Sequence, residues 1–251
     1  MAETKNCSSK TMRRIIDCHL MLDPNSINNL TNLKHMVVDG SYLTGRSEAV
    51  ILVMNAETCK PIYGKYGLKE TFPNLRQVFL EMKDLGCNPI SATIDGLPAT
   101  SKALYAVWPN IKIQRCVIHI QRQGLMWCRA KPKRRDAKKL RKILLDITNI
   151  NNQHDKQKLL EMVEKWEWRY GFKIANAKET GWILSDLKRA RSMLIKALND
   201  SFCYLENPKI PHSTNLAEGC FSRLKGLLRD HRGIKGKRRE QLFKWFLACR
   251  K

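Results

Sequence analysis

Three acidic residues in this chain have surroundings that suit metal-dependent chemistry at phosphorus. Asp39 and Asp95 each close a short apolar run, as residues do at the end of a buried strand, and Glu218 opens a helical pattern. Carboxylates at the ends of neighbouring strands, about 4.8 Å apart, can share two hard cations roughly 3.5 to 4 Å apart. The pattern therefore predicts that these three residues are catalytic and bind two Mg²⁺ or Mn²⁺ ions.

Each acid also has an ordinary structural explanation. Asp39 and Gly40 could form the type I′ turn of a hairpin. Asp95 could cap the helix that follows it, and Glu218 could complete a capping box with Asn215. Taken singly, each acid favours the structural explanation. Glu218, however, lies off the apolar stripe of its helix and could both cap it and face the aspartates, and the order of the three acids along the chain favours catalysis.

The net charge of the chain indicates a polyanionic partner. The 251 residues include 46 Lys and Arg against 23 Asp and Glu, a formal charge of +23. Basic residues are dense in two segments, 115–142 and 223–251. Lys and Arg also keep ordinary surfaces solvated, but clusters of this density favour phosphate contacts. The candidate DNA-binding residues are Arg115, Arg122, Lys131, Lys133, Arg134, Arg135, Lys225, Arg229 and Arg232.

The composition favours a soluble, intracellular chain with a substantial core. An apolar content of 43% over 251 residues suits one large domain, or one domain with an insertion. Nine cysteines, with no Cys-x-x-Cys pair, argue against a disulfide framework and favour a reducing compartment. No apolar run is long enough to span a membrane. We expect a cytoplasmic, nucleoid-associated location if the chain is bacterial and a nuclear one if it is eukaryotic.

Short apolar runs predict the elements that position the acids. Residues 1–33 show no firm pattern and are interpreted as a lead-in, and the first part of the core spans 34–119. Its order predicts an α/β fold, a ribonuclease H-like mixed five-stranded sheet flanked by helices. In chain order the runs predict three antiparallel strands at 35–39, 49–54 and 61–66, followed by a helix at 71–86 and a strand at 90–95. A second helix at 98–107 and a last strand at 111–116 complete the core.

From residue 120 to 211 the pattern is helical throughout. Three apolar stripes at helical spacing lie in this stretch, at 140–147, 159–170 and 183–197. We interpret 120–211 as an all-helical insertion before the last catalytic helix. Residues 212–251 are predicted to return to the core as C-terminal helices that include the catalytic glutamate.

Two segments resemble a known family. They are DGLPATSKALYAVWPNIKIQRCVIHIQRQ, which begins at Asp95, and HSTNLAEGCFSRLKGLLRDHRG, which begins at His212. Both resemble the catalytic core of Mutator-like transposases and of related bacterial insertion-sequence transposases, and the resemblance covers roughly residues 35–250. The three-acid motif of that family falls on Asp39, Asp95 and Glu218.

The Cys-x-x-His motif of the family falls on Cys116 and His119. Relatives often continue with Arg-Asn, whereas this chain has Arg122 and Gln123. By chemistry alone a zinc site here is disfavoured, because zinc takes four ligands and no second pair lies at suitable spacing. A small buried cysteine and a hydrogen-bonded histidine are the more ordinary explanation. The resemblance implies that both support the active site.

The resemblance also implies an activity and partners. It implies a DDE transposase, which uses Mg²⁺ to cleave and join strands of double-stranded DNA at transposon ends and target, as a homo-oligomer on DNA. Two other functions stay open: a catalytically silent DNA-binding remnant, and a ribonuclease H-like nuclease that cuts without joining. The presence of all three acids argues against the remnant. Most tryptophans are expected in the core, although one exposed on the helical insertion could stack on a base.

Overall fold

A five-stranded mixed sheet forms the centre of the fold. The computed structural model describes residues 8–24, 29–44, 48–177, 182–231 and 233–249. The sheet has the order β3-β2-β1-β4-β5, with β1 to β3 antiparallel and β1, β4 and β5 parallel. The predicted meander and mixed sheet are confirmed. The strands are β1 (His35–Thr44), β2 (Glu48–Asn55), β3 (Pro61–Tyr66), β4 (Ser91–Ile94) and β5 (Lys112–Arg115).

Helices surround this sheet and make up the second half of the chain. A π-helical turn, Glu167–Gly171, interrupts the helical stretch between α6 and α7. Within the described ranges no helix is both long and apolar enough to cross a bilayer. The helices are α1 (Ser9–Leu20), α2 (Phe72–Asp84), α3 (Pro98–Val107), α4 (Val117–Cys128), α5 (Arg135–Asp146), α6 (Gln153–Trp166), α7 (Phe172–Ala175), α8 (Trp182–Leu198), α9 (Asn215–Asp230) and α10 (Lys237–Ala248).

Both faces of the sheet are covered, which explains why β1 and β2 are apolar along most of their length. Side chains alternate between the two faces of a strand. Met36 and Ile51 lie in the core formed with α2 and α3. Val37 and Leu52 lie in the opposite core, formed with α9 and α10. The sheet is therefore fixed from both sides, and this holds the residues at its edge in place.

The structure corrects three expectations drawn from the sequence. β1 does not end at Asp39 but continues to Thr44, and Asp39 pairs with Leu52 inside the β1–β2 ladder. The polar residues at 39–41 concealed this continuation, and a hairpin turn at Asp39 and Gly40 is wrong. The lead-in contains a helix, α1, which packs on α10. The three apolar stripes correspond to α5, α6 and α8, but α4 and α7 were not anticipated as separate helices.

Helices α4 to α8 have a hydrophobic core of their own. Leu140, Leu159 and Leu187 are among its buried members, one from each of α5, α6 and α8. Gly124 on α4 allows α5 to approach, because a Cβ there would lie 2.6 Å from a methyl of Leu144. This helical layer joins the sheet through Gln114, whose amide donates to the Ser201 carbonyl at 2.8 Å. It forms a second packed unit beside the sheet.

We predict that two glycines respond in opposite directions to alanine. A Cβ at Gly64 in β3 would lie 2.7 Å from Phe243 on α10 and 3.0 Å from the Ile51 carbonyl, so Gly64→Ala should destabilise by about 1–3 kcal/mol. Gly226 in α9 has open space, its nearest neighbour being Arg229 at 4.0 Å. Gly226→Ala should stabilise by about 0.5–1 kcal/mol. Urea unfolding measures both, and an unchanged midpoint for Gly64→Ala would contradict the close α10 packing.

Candidate active site

Asp39 and Asp95 lie side by side on neighbouring strands. β1 and β4 are parallel, and their last paired residues are Val37 and Thr93. Asp39 follows Val37 by two positions, and Asp95 follows Thr93 by two positions. The two aspartates therefore lie at the same level, across strands that are about 4.8 Å apart. Asp95 lies just beyond β4, where its Oδ1 accepts from the Leu97 N–H at 2.9 Å. Leu97, not Asp95, is the N-cap residue of α3, which removes the simple capping explanation.

Burial and repulsion act together on Asp39. Its side chain is 9% exposed, and burial followed by the charge of Asp95 raises the pKa of Asp39 to about 7. The nearby His119 and a 2.9 Å hydrogen bond from the Gly40 N–H lower the pKa but do not outweigh burial. A buried carboxylate that is repelled by a second, partly exposed carboxylate is an arrangement that a cation would stabilise.

A further carboxylate, Glu70, joins this group, and the sequence analysis missed it. Its side chain lies directly against Gly40, where any Cβ would collide with it. Burial first, and then the charge of Asp95, raise the pKa of Glu70 to about 7. Glu70 also contributes to the raised pKa of Asp39. Nothing in the polar segment between β3 and α2 distinguishes this acid by pattern, because only the folded sheet brings that segment to Gly40.

Glu218 faces the same region from α9, but its carboxylate is bound by an arginine. Arg122 Nη1 on α4 donates to both carboxylate oxygens, at 2.9 and 3.1 Å. His119 Nε2 lies 3.7 Å from Glu218 Oε1. The predicted capping box with Asn215 is wrong, since Thr214 is the N-cap residue and makes no side-chain capping bond. Glu218 is thus linked to the two aspartates through His119, whose pKa both of them raise.

Cys116 and His119 connect the start of α4 to the start of α9. Cys116 is fully buried, and its Sγ accepts from the Thr214 N–H at 3.4 Å. His119 Nδ1 lies 3.3 Å from Thr214 Oγ1. A hydrogen bond with Cys116 is the largest cause that raises the pKa of His119. These contacts give the Cys-x-x-His pair a physical role: they hold the helix of Glu218 against the helix of Arg122.

Comparison with known proteins supplies the family. The model of the Mutator family of transposases matches residues 46–188, more than half of the chain. The chain belongs to this Mutator family. A transposase for the insertion sequence element ISRM3 of Rhizobium meliloti (strain 1021) is 27% identical over 147 residues, which cover 57% of this chain and 36% of the relative. The range that the family model matches includes Asp95, Cys116 and His119 but neither Asp39 nor Glu218, so the proposal of those two residues depends on geometry.

The carboxylate oxygens of this Mutator-family chain are of the chemical type that Mg²⁺ or Mn²⁺ prefers. Burial first, and then repulsion by Asp95, raise the pKa of Asp39 and of Glu70, and a cation would offset both effects. Within the described residues, no three His, Cys, Asp or Glu side chains are grouped as a metal ion would need. The chemistry of the carboxylates thus fits a hard cation, but within the described chain three of them are not gathered around one point, and Glu218 is bound by Arg122.

The predicted DNA-binding residues divide into three kinds. Most are exposed, and of these Lys225 donates to Ser41 Oγ at 2.7 Å, next to Gly40. Arg134 is paired with Asp136 at 2.7 Å. Arg115 is half-buried against Gly96, and burial lowers its pKa although the charges of Asp95 and Asp200 act in the opposite direction. Arg232 lies outside the described residues. The exposed members are Arg122, Lys131, Lys133, Arg135, Lys225 and Arg229.

We predict that Asp39→Asn stabilises the metal-free chain more at pH 8 than at pH 5. The folded chain keeps the Asp39 proton up to about pH 7, whereas the unfolded chain loses it near 3.8, so stability falls as pH rises between these values. Each pKa unit corresponds to about 1.4 kcal/mol. Urea unfolding in EDTA at the two pH values measures the difference. Asp84→Asn on the exposed face of α2 is the control, and an equal effect of Asp39→Asn at both pH values would disprove the prediction.

Proposed function

We propose that this chain is the catalytic domain of a DNA transposase, in which Asp39, Asp95 and Glu218 serve metal-dependent strand cleavage and strand transfer. One observation carries the proposal: in a chain of the Mutator family, the buried Asp39 on β1 and the partly exposed Asp95 just after β4 follow a pair of adjacent parallel strands. The similarity to the ISRM3 protein, which is a transposase, agrees with it. Since the chain covers 36% of that relative's length, the activity of the whole protein is part of the proposal.

We also propose a ribonuclease H-like core with a helical insertion. The sheet order β3-β2-β1-β4-β5, with one antiparallel meander and two parallel strands, supports the assignment. So does the position of the acids, with Asp39 on β1, Asp95 after β4 and Glu218 on a helix that packs on β1. The separate core of α4 to α8 supports their assignment as an insertion.

In this proposal Asp39, Asp95 and Glu218 would hold two Mg²⁺ or Mn²⁺ ions, with Glu70 as a neighbouring acid. When bound, such ions activate water or a 3′-hydroxyl as nucleophile and stabilise the leaving oxygen of an in-line displacement. The protein's own contribution is orientation. Asp39 is fixed by the Gly40 N–H and Asp95 by the Leu97 N–H, and Cys116 and His119 hold the start of α9.

The exposed cations would bind double-stranded DNA at transposon ends and target, on a homo-oligomer. Arg122 is 60% exposed beside Glu218, and Lys225 lies beside Ser41, so both reach the edge of the site. Lys131, Lys133 and Arg135 extend positive charge along the segment between α4 and α5. Phosphate contacts of this kind position DNA without reading its sequence.

The site prediction is tested by strand transfer on a pre-cleaved DNA end. Asp39→Asn, Asp95→Asn and Glu218→Gln should each abolish Mg²⁺-dependent cleavage and joining, because each removes a charged oxygen ligand, while DNA affinity changes by less than about twofold. Joining by the wild type distinguishes a transposase from a nuclease that only cuts and from a remnant that only binds. If one variant keeps near-normal activity, its residue is not a ligand.

An assay without DNA separates the metal site from the reaction. Mg²⁺ or Mn²⁺ should raise the melting temperature of the wild type at pH 8, because the cation relieves the repulsion between Asp39 and Asp95. The Asp95→Asn variant should lose this response. Asp84→Asn, which changes an exposed carboxylate on α2, is the matched control and should keep it.

The basic segment is tested by the salt dependence of DNA binding. Replacing Lys131, Lys133 and Arg135 together by glutamine should weaken binding to all duplex sequences alike and reduce the slope of log K against log salt by about 0.9 per lost contact. Arg134 is left intact because it pairs with Asp136. Exposed cations outside both clusters, Lys60, Arg76 and Lys158, provide a triple control. An unchanged slope in the first variant would mean that this segment is only solvated.

A further inference from the structure

A tryptophan on the helical layer is almost fully exposed. Trp168 has 89% of its side chain exposed, and Phe172 one turn later has 81%. Trp166, two residues earlier, is buried and donates its indole N–H to the Asp136 carbonyl at 2.9 Å. The core of this layer is therefore completed by Trp166, and packing does not explain why a second large aromatic side chain stands in solvent beside it.

The backbone that presents Trp168 is fixed. It lies in the π-helical turn Glu167–Gly171, a geometry often found at functional sites. Arg191 Nε on α8 donates to both oxygens of Glu167, at 2.7 and 2.9 Å. Gly171 is buried against the same carboxylate, and a Cβ there would collide with it. The exposed ring is thus held on a rigid turn.

Cations surround the ring. Trp168 lines a groove of about 540 Å³ together with Lys139, Lys165, Arg169 and Glu164. Lys139 Nζ also lies 5.8 Å from the centre of the Tyr170 ring, and so does the Arg169 guanidinium carbon. The groove combines a free aromatic face with three positive side chains and a single acid.

A second, apolar groove adjoins the first. Its volume is about 230 Å³, and it shares Lys139 and Lys165 with the groove of Trp168. Tyr170 and Met162 contribute to its apolar lining, and Lys142 adds another cation at its rim. Flat rings and methyl groups beside lysines suit a ligand that is itself flat and apolar on one face and anionic along its length.

Single-stranded nucleic acid has this combination of properties. Proteins bind it with cations along the phosphates and aromatic side chains on which bases stack. Bases inside a duplex are already stacked on one another, so within a strand it is an unpaired nucleotide that can place its ring on Trp168. A second copy of this chain fits the groove less well, because each copy has a net charge of +23 and the cations of the two copies would repel each other.

We propose that the groove of Trp168 is a binding site for unpaired DNA nucleotides, held by stacking on Trp168 and by phosphate contacts to Lys139, Lys165 and Arg169. The proposal goes beyond the proposed function, because it assigns a single-stranded ligand to the helical layer and requires none of the three catalytic acids. It gives that layer a role separate from the duplex contacts of the basic segment between α4 and α5.

Fluorescence anisotropy with the full chain in EDTA tests it, using a labelled oligothymidine and a labelled blunt-ended duplex, without a loop, of equal length. Trp168→Ala should weaken oligothymidine binding about tenfold, which corresponds to about 1.4 kcal/mol and lies within the range for one stacked base. Affinity for the duplex should change by less than about twofold. Trp168→Phe should restore most of the loss, because a phenyl ring also stacks. Met126→Ala, an exposed apolar residue on α4 outside the groove, should have no effect.

Three results would overturn the proposal. Trp168→Ala could leave oligothymidine affinity unchanged, or it could weaken oligothymidine and duplex equally, which would make the ring a general DNA contact. It could also change the sedimentation coefficient of the free chain without changing DNA affinity, which would make the groove an interface between copies. Because the assay contains no divalent metal, its outcome is independent of cleavage.

Discussion

The parallel pairing of β1 with β4 is the constraint on which the site depends. It fixes Asp39 and Asp95 at the same height on adjacent strands, where water is largely excluded from Asp39. Charged groups in such a position are costly unless they are paired. The burial of apolar side chains on both faces of the sheet offsets this unfavourable free energy. Helices α2 and α3 pack on one face, and α9 and α10 pack on the other. Carboxylates kept in an unfavourable position by a rigid frame are typical of functional sites.

A short network of side chains joins the rest of the molecule to these aspartates. Cys116 and His119, at the start of α4, contact Thr214 at the start of α9. Arg122, further along α4, binds Glu218, which lies one turn into α9. Helix α4 thus connects the helical layer to Glu218 by direct side-chain contacts. Arg122 is also an exposed cation, so the same side chain can respond to a phosphate and to Glu218.

The two halves of the molecule have different surfaces. The sheet half holds the acids, and their neighbours Gly40 and Gly96 have no side chain, which leaves room for Glu70 and Arg115. The helical half carries the exposed basic residues between α4 and α5 and the exposed Trp168 on its π-helical turn. The acids lie at the centre and the basic residues lie around them. This distribution suits a polyanion that is bound by the basic residues at several points and reaches the acids at one point.

The sequence by itself determined most of the local elements. Short apolar runs predicted the meander, stripes of helical period predicted α2, α5, α6 and α8, and a proline at the first turn predicted α3, because burial leaves its mark on neighbouring positions. Residue type and order singled out Asp39, Asp95 and Glu218 as candidates, and their catalytic role stays a prediction. Tertiary structure decided the rest. It extended β1 past Asp39, placed Glu70 against Gly40 and Arg122 on Glu218, and exposed Trp168 while burying Trp166. These are contacts between segments distant in the chain, or choices between faces of one helix, and local periodicity does not encode which partner a polar side chain meets.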